Sequence, residues 1–174
     1  MKKIKEDEIT TLESYCNSLS DNRKLELNIQ LIKIALPVWN NYTEKHKLTY
    51  RDSVTRSKHN VYKNLLAEVI KVADEISNKP DEPINPGVEK RIKSLCNNFI
   101  DPIVSLQYDD WKLPEPAEKI FYSAYNLLNA ITSVNIERAN YYFISINQVI
   151  EIIDSEKILN EEEIKSIMKN YIAE

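Results

Sequence analysis

One glycine in 174 residues, Gly87, is the strongest constraint on this chain. Ordinary usage of about 7% would give about twelve. Glycine takes positive φ without steric cost, and tight two-residue hairpins depend on it. A chain this poor in glycine has little room for a sheet built of such hairpins. It also has no glycine-rich loop to cradle phosphates, so P-loop and dinucleotide-binding folds are excluded. Helices are the architecture left open, and the spacing of apolar residues agrees with that.

A stripe of Ile9, Leu12, Cys16 and Leu19 recurs at helical period near the N-terminus, behind the acidic start Glu6, Asp7 and Glu8. Ser20 or Asp21 then caps a second helix. This helix has two apolar faces: Leu25, Ile29, Ile32, Leu36 and Trp39 on one, and Leu27, Leu31, Ile34 and Val38 on the other. Apolar residues on both sides predict the central element of the fold. Pro37 lies inside it, yet the apolar phase runs through "IALPVWNN" unbroken. The expectation is therefore a helix that continues past Pro37 with a kink, freeing the carbonyl of Lys33 and wrapping Trp39 onto the core.

Residues 47–57 are polar and read as loop or frayed helix. Val61, Leu65, Val69, Val72 and Ile76 mark a third helix. The proline-rich "NKPDEPINPG" is the clearest linker, and Asn85 before Pro86 predicts a cap and first turn. Val88, Ile92, Leu95 and Phe99 form the next stripe, restarted or kinked at Asp101–Pro102. A fifth helix carries Ala117, Ile120, Phe121, Ala124, Leu127, Leu128 and Ile131. A sixth, capped by Asn135, carries Ala139, Tyr142, Phe143, Ile146, Val149, Ile150 and Ile153. The last opens on a capping box, Asn160 with Glu163, and docks through Ile164, Ile167, Met168 and Tyr171. No stretch keeps the strict alternation of a strand. The fold class expected is all-α: one domain over residues 1–174, a bundle of six to seven helices in antiparallel αα pairs. A chain of this length buries about 70% of its unfolded surface, enough for a core without staples.

Catalytic chemistry is sparse. The two histidines, His46 and His59, have no second ligand at metal-binding spacing, and Cys16 and Cys96 stand far apart, as reduced thiols would. The acid pairs Asp74–Glu75, Asp81–Glu82 and Asp109–Asp110 read as solvated linker or helix positions. A helical nuclease or hydrolase would use His59 with Arg56 or Asp52, although neither Arg51 nor Arg56 stands at the spacing of helical ribonucleases. No cofactor and no metal are expected, and the chain is not expected to be an enzyme. There is no run of about 18 apolar residues to span a membrane and no signal-type apolar segment behind "MKKIKEDEI", so a cytoplasmic location is expected.

Charge is unevenly spread. Residues 1–79 carry 14 Lys/Arg against 11 Asp/Glu, and residues 80–174 carry 9 against 16. The acidic second half suits a basic partner and argues against direct binding of nucleic acid there. Within it, "YDDWKLPEPAEK" sets Tyr108 and Trp111 among Asp109, Asp110, Glu115 and Glu118, with Lys112 and Lys119. Two readings stay open: Trp111 plugs the end of the bundle, or it anchors an interface ringed by anions. The interface reading assigns Asp109, Asp110, Trp111, Glu115 and Glu118 to partner binding, with Asp81 and Glu82 as outer charges.

The order of "LPVWNNYTEKH", "NVYKNLLAEVIKVADEI", "AYNLLNAI" and "NIERANYYFISINQVIEI" resembles small all-helical bacterial proteins, some similar to immunity proteins of contact-dependent inhibition and other polymorphic toxin systems. The resemblance spans roughly residues 25–154. It implies a stoichiometric inhibitor, a monomer or one half of a 1:1 complex, that binds a cognate toxin domain in the cytoplasm. The toxin domains of such systems are often basic nucleases. A groove-type peptide-binding adaptor is the further alternative.

Overall fold

A computed structural model describes residues 6–171 apart from 53, 81, 109 and 110, with side chains described from Leu12 onward. It is all-α. Seven helices are seen among the described residues: α1 (Glu6–Ser18), α2 (Asp21–Lys45), α3 (Leu65–Ser77), α4 (Pro86–Gln107), α5 (Glu115–Thr132), α6 (Asn135–Ser155) and α7 (Glu161–Lys169).

The two-faced helix α2 is the axis, packing against α3, α5 and α6. Leu27, Leu31, Ile32 and Ala35 on it are fully buried. Its side-chain contacts give the directions of its neighbours. Trp39 meets Phe121 and Leu25 lies near Ile131, so α5 runs antiparallel to it. Lys33 bonds Asp74 at 2.8 Å and the Trp39 indole donates to the Lys63 carbonyl at 3.3 Å, so α3 is also antiparallel. By contrast, Asp21 pairs with Arg138 and Asn28 with Ser145, so α6 runs parallel to α2. The sequence-adjacent antiparallel pairs are thus α2–α3 and α5–α6, and the second pair lies across α2, α5 antiparallel and α6 parallel to it.

Pro37 does not end α2, which is helical from Asp21 to Lys45. Lys33 and Pro37 are both exposed, so the carbonyl deprived of its helical donor lies on the solvent side. Trp39, two residues later, is buried. Helix α4 likewise runs across Pro102 without a break.

Three local expectations hold in detail. The Ser20 hydroxyl accepts from the Arg23 N–H, Asn85 accepts from the Val88 N–H, and Asn160 and Glu163 complete a reciprocal capping box. Asn135 is different. It takes φ 54° as the first residue of α6, behind Val134, and makes no cap bond. Asparagine tolerates this left-handed conformation better than most residues, so its role is to turn the chain.

The clearest departure is a two-stranded antiparallel ribbon in the segment expected to be loop. Strand β1 (Thr49–Arg51) pairs with β2 (Lys58–Asn60) in the register Thr49↔Asn60, Tyr50↔His59, Arg51↔Lys58. Three-residue strands are too short to show alternation. The turn also manages without glycine. Asp52 accepts from the Val54 and Thr55 N–H groups and the Thr55 hydroxyl, and Arg56 takes φ 59°. Beyond the ribbon, the Val61 N–H donates to the Leu48 carbonyl at 2.9 Å. The ribbon is pinned to α4 where the Ser105 hydroxyl donates to the Arg51 carbonyl at 2.6 Å.

Replacing Pro37 by alanine restores a helical N–H at an exposed site. We expect P37A to raise the unfolding free energy by about 2 kcal/mol. The urea midpoint measures it; a lowered midpoint would mean that the proline geometry itself is needed to seat Trp39.

Candidate interaction surface

The ends of α2 and α4, the starts of α3 and α5 and the end of α6 meet at one end of the bundle, together with the ribbon. Trp111 sits at their junction. Its indole is only 7% exposed and meets Phe121 edge-on at 5.5 Å, with Tyr50 of the ribbon at 6.4 Å. The Trp111 backbone N–H donates to the Ser105 carbonyl at 3.1 Å. Of the two readings of Trp111, the structure has the plug. The indole is not an exposed anchor, because the ribbon, α4 and α5 enclose it. The exposed aromatic of this connector is Tyr108, at 71%.

Glu115 and Glu118 lie on the first turn of α5 beside the plug. Glu115 is exposed and Glu118 half-buried. Lys119 bonds Glu115 and also reaches across to Glu151 of α6, each at 2.8 Å. Hydrogen bonding to Glu115 and Glu151 raises the Lys119 pKa, and Lys119 in turn lowers that of Glu115. The antiparallel α5–α6 pair therefore gathers Glu115, Glu118, Glu151, Asp154 and Glu156 at one end. The α6 acids were in plain view in the sequence, but only the helix pairing brings them beside Glu115. Asp109 and Asp110 lie outside the described residues, as does Asp81.

Glu82 does not join this group. It is exposed, bonds Lys79 at 2.9 Å, and lines a surface pocket of about 280 Å³ with Asp21, Leu25, Ile131, Arg138 and Tyr142. That pocket lies near the far end of α5, about 24 Å along the helix from Glu115. The charges of its wall are committed: Arg138 donates to Asp21 and to the Ser133 carbonyl.

The enzymatic alternative centred on His59 finds little around it. His59 is exposed and stacks on Tyr50 at 5.6 Å. The Asp52 carboxylate serves its own turn, and those bonds, with Thr55 first, pull its pKa below the usual range. His46 stacks on Tyr42 at 4.5 Å. No group of three His, Cys, Asp or Glu side chains among the described residues is placed to hold a metal ion, and no helix there is long and apolar enough to cross a membrane. Both cysteines are free thiols, and burial pushes Cys16 up to about 11, away from nucleophilic chemistry. Comparison with models of known protein families, with curated proteins and with solved structures finds no match to the chain.

Two consequences are measurable. Removing the plug with W111A is expected to cost about 3–5 kcal/mol in a urea titration, the range for a large aromatic lost from a core. High pH is the second. Burial raises the Cys16 thiol to about 11 and the Tyr15 phenol to about 12. Both protons are held more tightly in the folded chain than in the unfolded one. Their contribution is complete below about pH 9 and lost as pH rises through 9 to 12. The Tyr15 hydroxyl also donates to the Met168 carbonyl of α7. The thermal midpoint should fall across this window, and fall less in a C16A/Y15F variant.

Proposed function

We propose that the protein is an immunity-type inhibitor that binds a basic toxin domain, foremost a nuclease, and covers its active or substrate-binding surface. The observation that carries this reading is the acidic end of the α5–α6 pair, where Glu115, Glu118, Glu151, Asp154 and Glu156 gather, with exposed Tyr108 closing α4 at the same end of the bundle. The resemblance in element order supports it, as does the shortage of catalytic groupings described above. The protein would act in the cytoplasm as a monomer that forms a 1:1 complex, without a cofactor. Carboxylates spread over two rigid helices would steer a basic domain into encounter, and Tyr108 would supply the desolvated contact that slows release.

The test begins with the toxic domain encoded beside this chain, purified with it and titrated in a growth-rescue assay. The expected result is a 1:1 complex and rescue. E115K/E118K should slow association about tenfold or more at low ionic strength, and Y108A should mainly hasten dissociation. A failure to form any complex, or of the chain to protect cells, would overturn the reading. A tight complex whose association rate ignores the charge reversal would move the interface elsewhere on the molecule.

A further inference from the structure

The ribbon carries a charge pattern that the fold does not explain. Between Glu44 and Lys63 the chain holds Lys45, Lys47, Arg51, Arg56, Lys58 and Lys63, and its only acids are Glu44 and Asp52. Asp52 is taken up by the turn. Lys45, Lys47, Arg51, Lys58 and Lys63 are all exposed, and none forms an ion pair among the described residues.

Register sharpens the point. Tyr50 is buried against Trp111 and stacks with its cross-strand partner His59, so that face of the ribbon is turned toward the bundle. Alternation puts the next pair, Arg51 and Lys58, on the outer face, directly opposite each other. Cross-strand partners stand about 5 Å apart, and like charges in that position cost stability. A further cation, Arg56, occupies a left-handed turn position at φ 59°, where glycine or asparagine would be less strained. At Arg51 and Lys58 the chain thus keeps two cations where folding alone disfavours them. Lys45, Lys47 and Lys63 extend the positive surface at the base of the ribbon. Tyr62 stands beside them, half exposed.

We propose that the outer face of this ribbon binds the phosphate backbone of single-stranded nucleic acid. A ribbon of one charge sign fits a regular polyanion, which releases counterions as each phosphate is neutralised. Tyr62, half exposed, adds a π face on which a base stacks without regard to sequence. The expectation against nucleic acid rested on the acidic second half, whereas the ribbon belongs to the basic first half. This inference is independent of the inhibitor reading, which uses the α5–α6 end.

The test is fluorescence anisotropy of a labelled single-stranded oligouridine with the full chain at about 50 mM salt and above. Five phosphate contacts would give a log–log salt slope of about −3.5. In R51Q/K58Q the slope should flatten by about 1.4 and affinity at low salt should fall about tenfold or more. The same variant relieves the cross-strand repulsion, so its thermal midpoint should match or exceed that of the parent. Weakened binding therefore cannot be blamed on misfolding. Absence of binding at low salt, or binding unchanged in the variant, would overturn the proposal. So would displacement of the oligonucleotide by polyglutamate at equal charge concentration, which would reassign the ribbon to an acidic protein chain.

Discussion

Phe121 is the residue through which the parts of this molecule meet. Its ring stacks on Trp39 of α2 at 5.6 Å, packs on Phe99 of α4 at 4.7 Å, and receives Trp111 of the following connector edge-on at 5.5 Å. Trp111 in turn reaches Tyr50 of the ribbon. Each such pair contributes about 0.5–1.5 kcal/mol beyond the area it buries. The larger effect is geometric. Three segments are held to one ring, and the ribbon is tied to it through Trp111, so the position of the ribbon, the start of α5 and the exit of α4 are set together.

Aromatic contacts do not by themselves stop helices from sliding. A buried polar network supplies that register between α2, α5 and α6. Ser145 donates at 2.8–2.9 Å toward Asn28 Oδ1 and the Ser123 carbonyl, two acceptors between which its single proton is shared. Asn126 donates to Gln148 at 3.1 Å a turn away. Asn28, Ser123 and Ser145 are fully buried, and no buried side-chain polar atom among the described residues lacks a partner. Sliding one helix by a residue would leave these groups unpaired in an apolar interior, at about 1–3 kcal/mol each. The network therefore gives the parallel α2–α6 packing a single register.

Much of this was legible in the chain. Long apolar stripes specify long helices, and the two-faced stripe of α2 identified the central one, because burial on two sides demands two apolar faces. Caps at Ser20, Asn85 and Asn160 could be read because a side-chain oxygen at that position has one evident use. The ribbon was illegible for the opposite reason: three residues per strand carry no period, and its turn is closed by Asp52 and Arg56 instead of glycine. The sole glycine sits in the first turn of α4. A Cβ there would come within 3.2 Å of the Asn85 oxygen that caps the helix. Glycine scarcity thus excluded glycine turns correctly, but strands and left-handed positions were still reachable through arginine, asparagine and lysine. The candidate site divides in the same way. Glu115 and Glu118 lie together on the first turn of one helix, which their spacing in sequence already showed, while Glu151 comes beside Glu115 only through the pairing of α5 with α6.

Burial of Trp111 changes how the connector can work. An exposed indole would lose conformational freedom on docking, and that loss would weaken binding. With the indole already seated against Phe121 and Tyr50, Trp111 is fixed between the start of α5 and the ribbon. Tyr108 and Glu115 flank that anchor at short range in sequence, and Glu115 is further tied through Lys119 to Glu151. The same indole touches the ribbon, so the acidic end of α5–α6 and the cationic outer face of β1–β2 are braced by one buried side chain. Opposite charges held apart on a rigid frame cannot collapse onto each other. The plug thus ties the start of α5 and the ribbon to one buried side chain at one end of a small helical bundle.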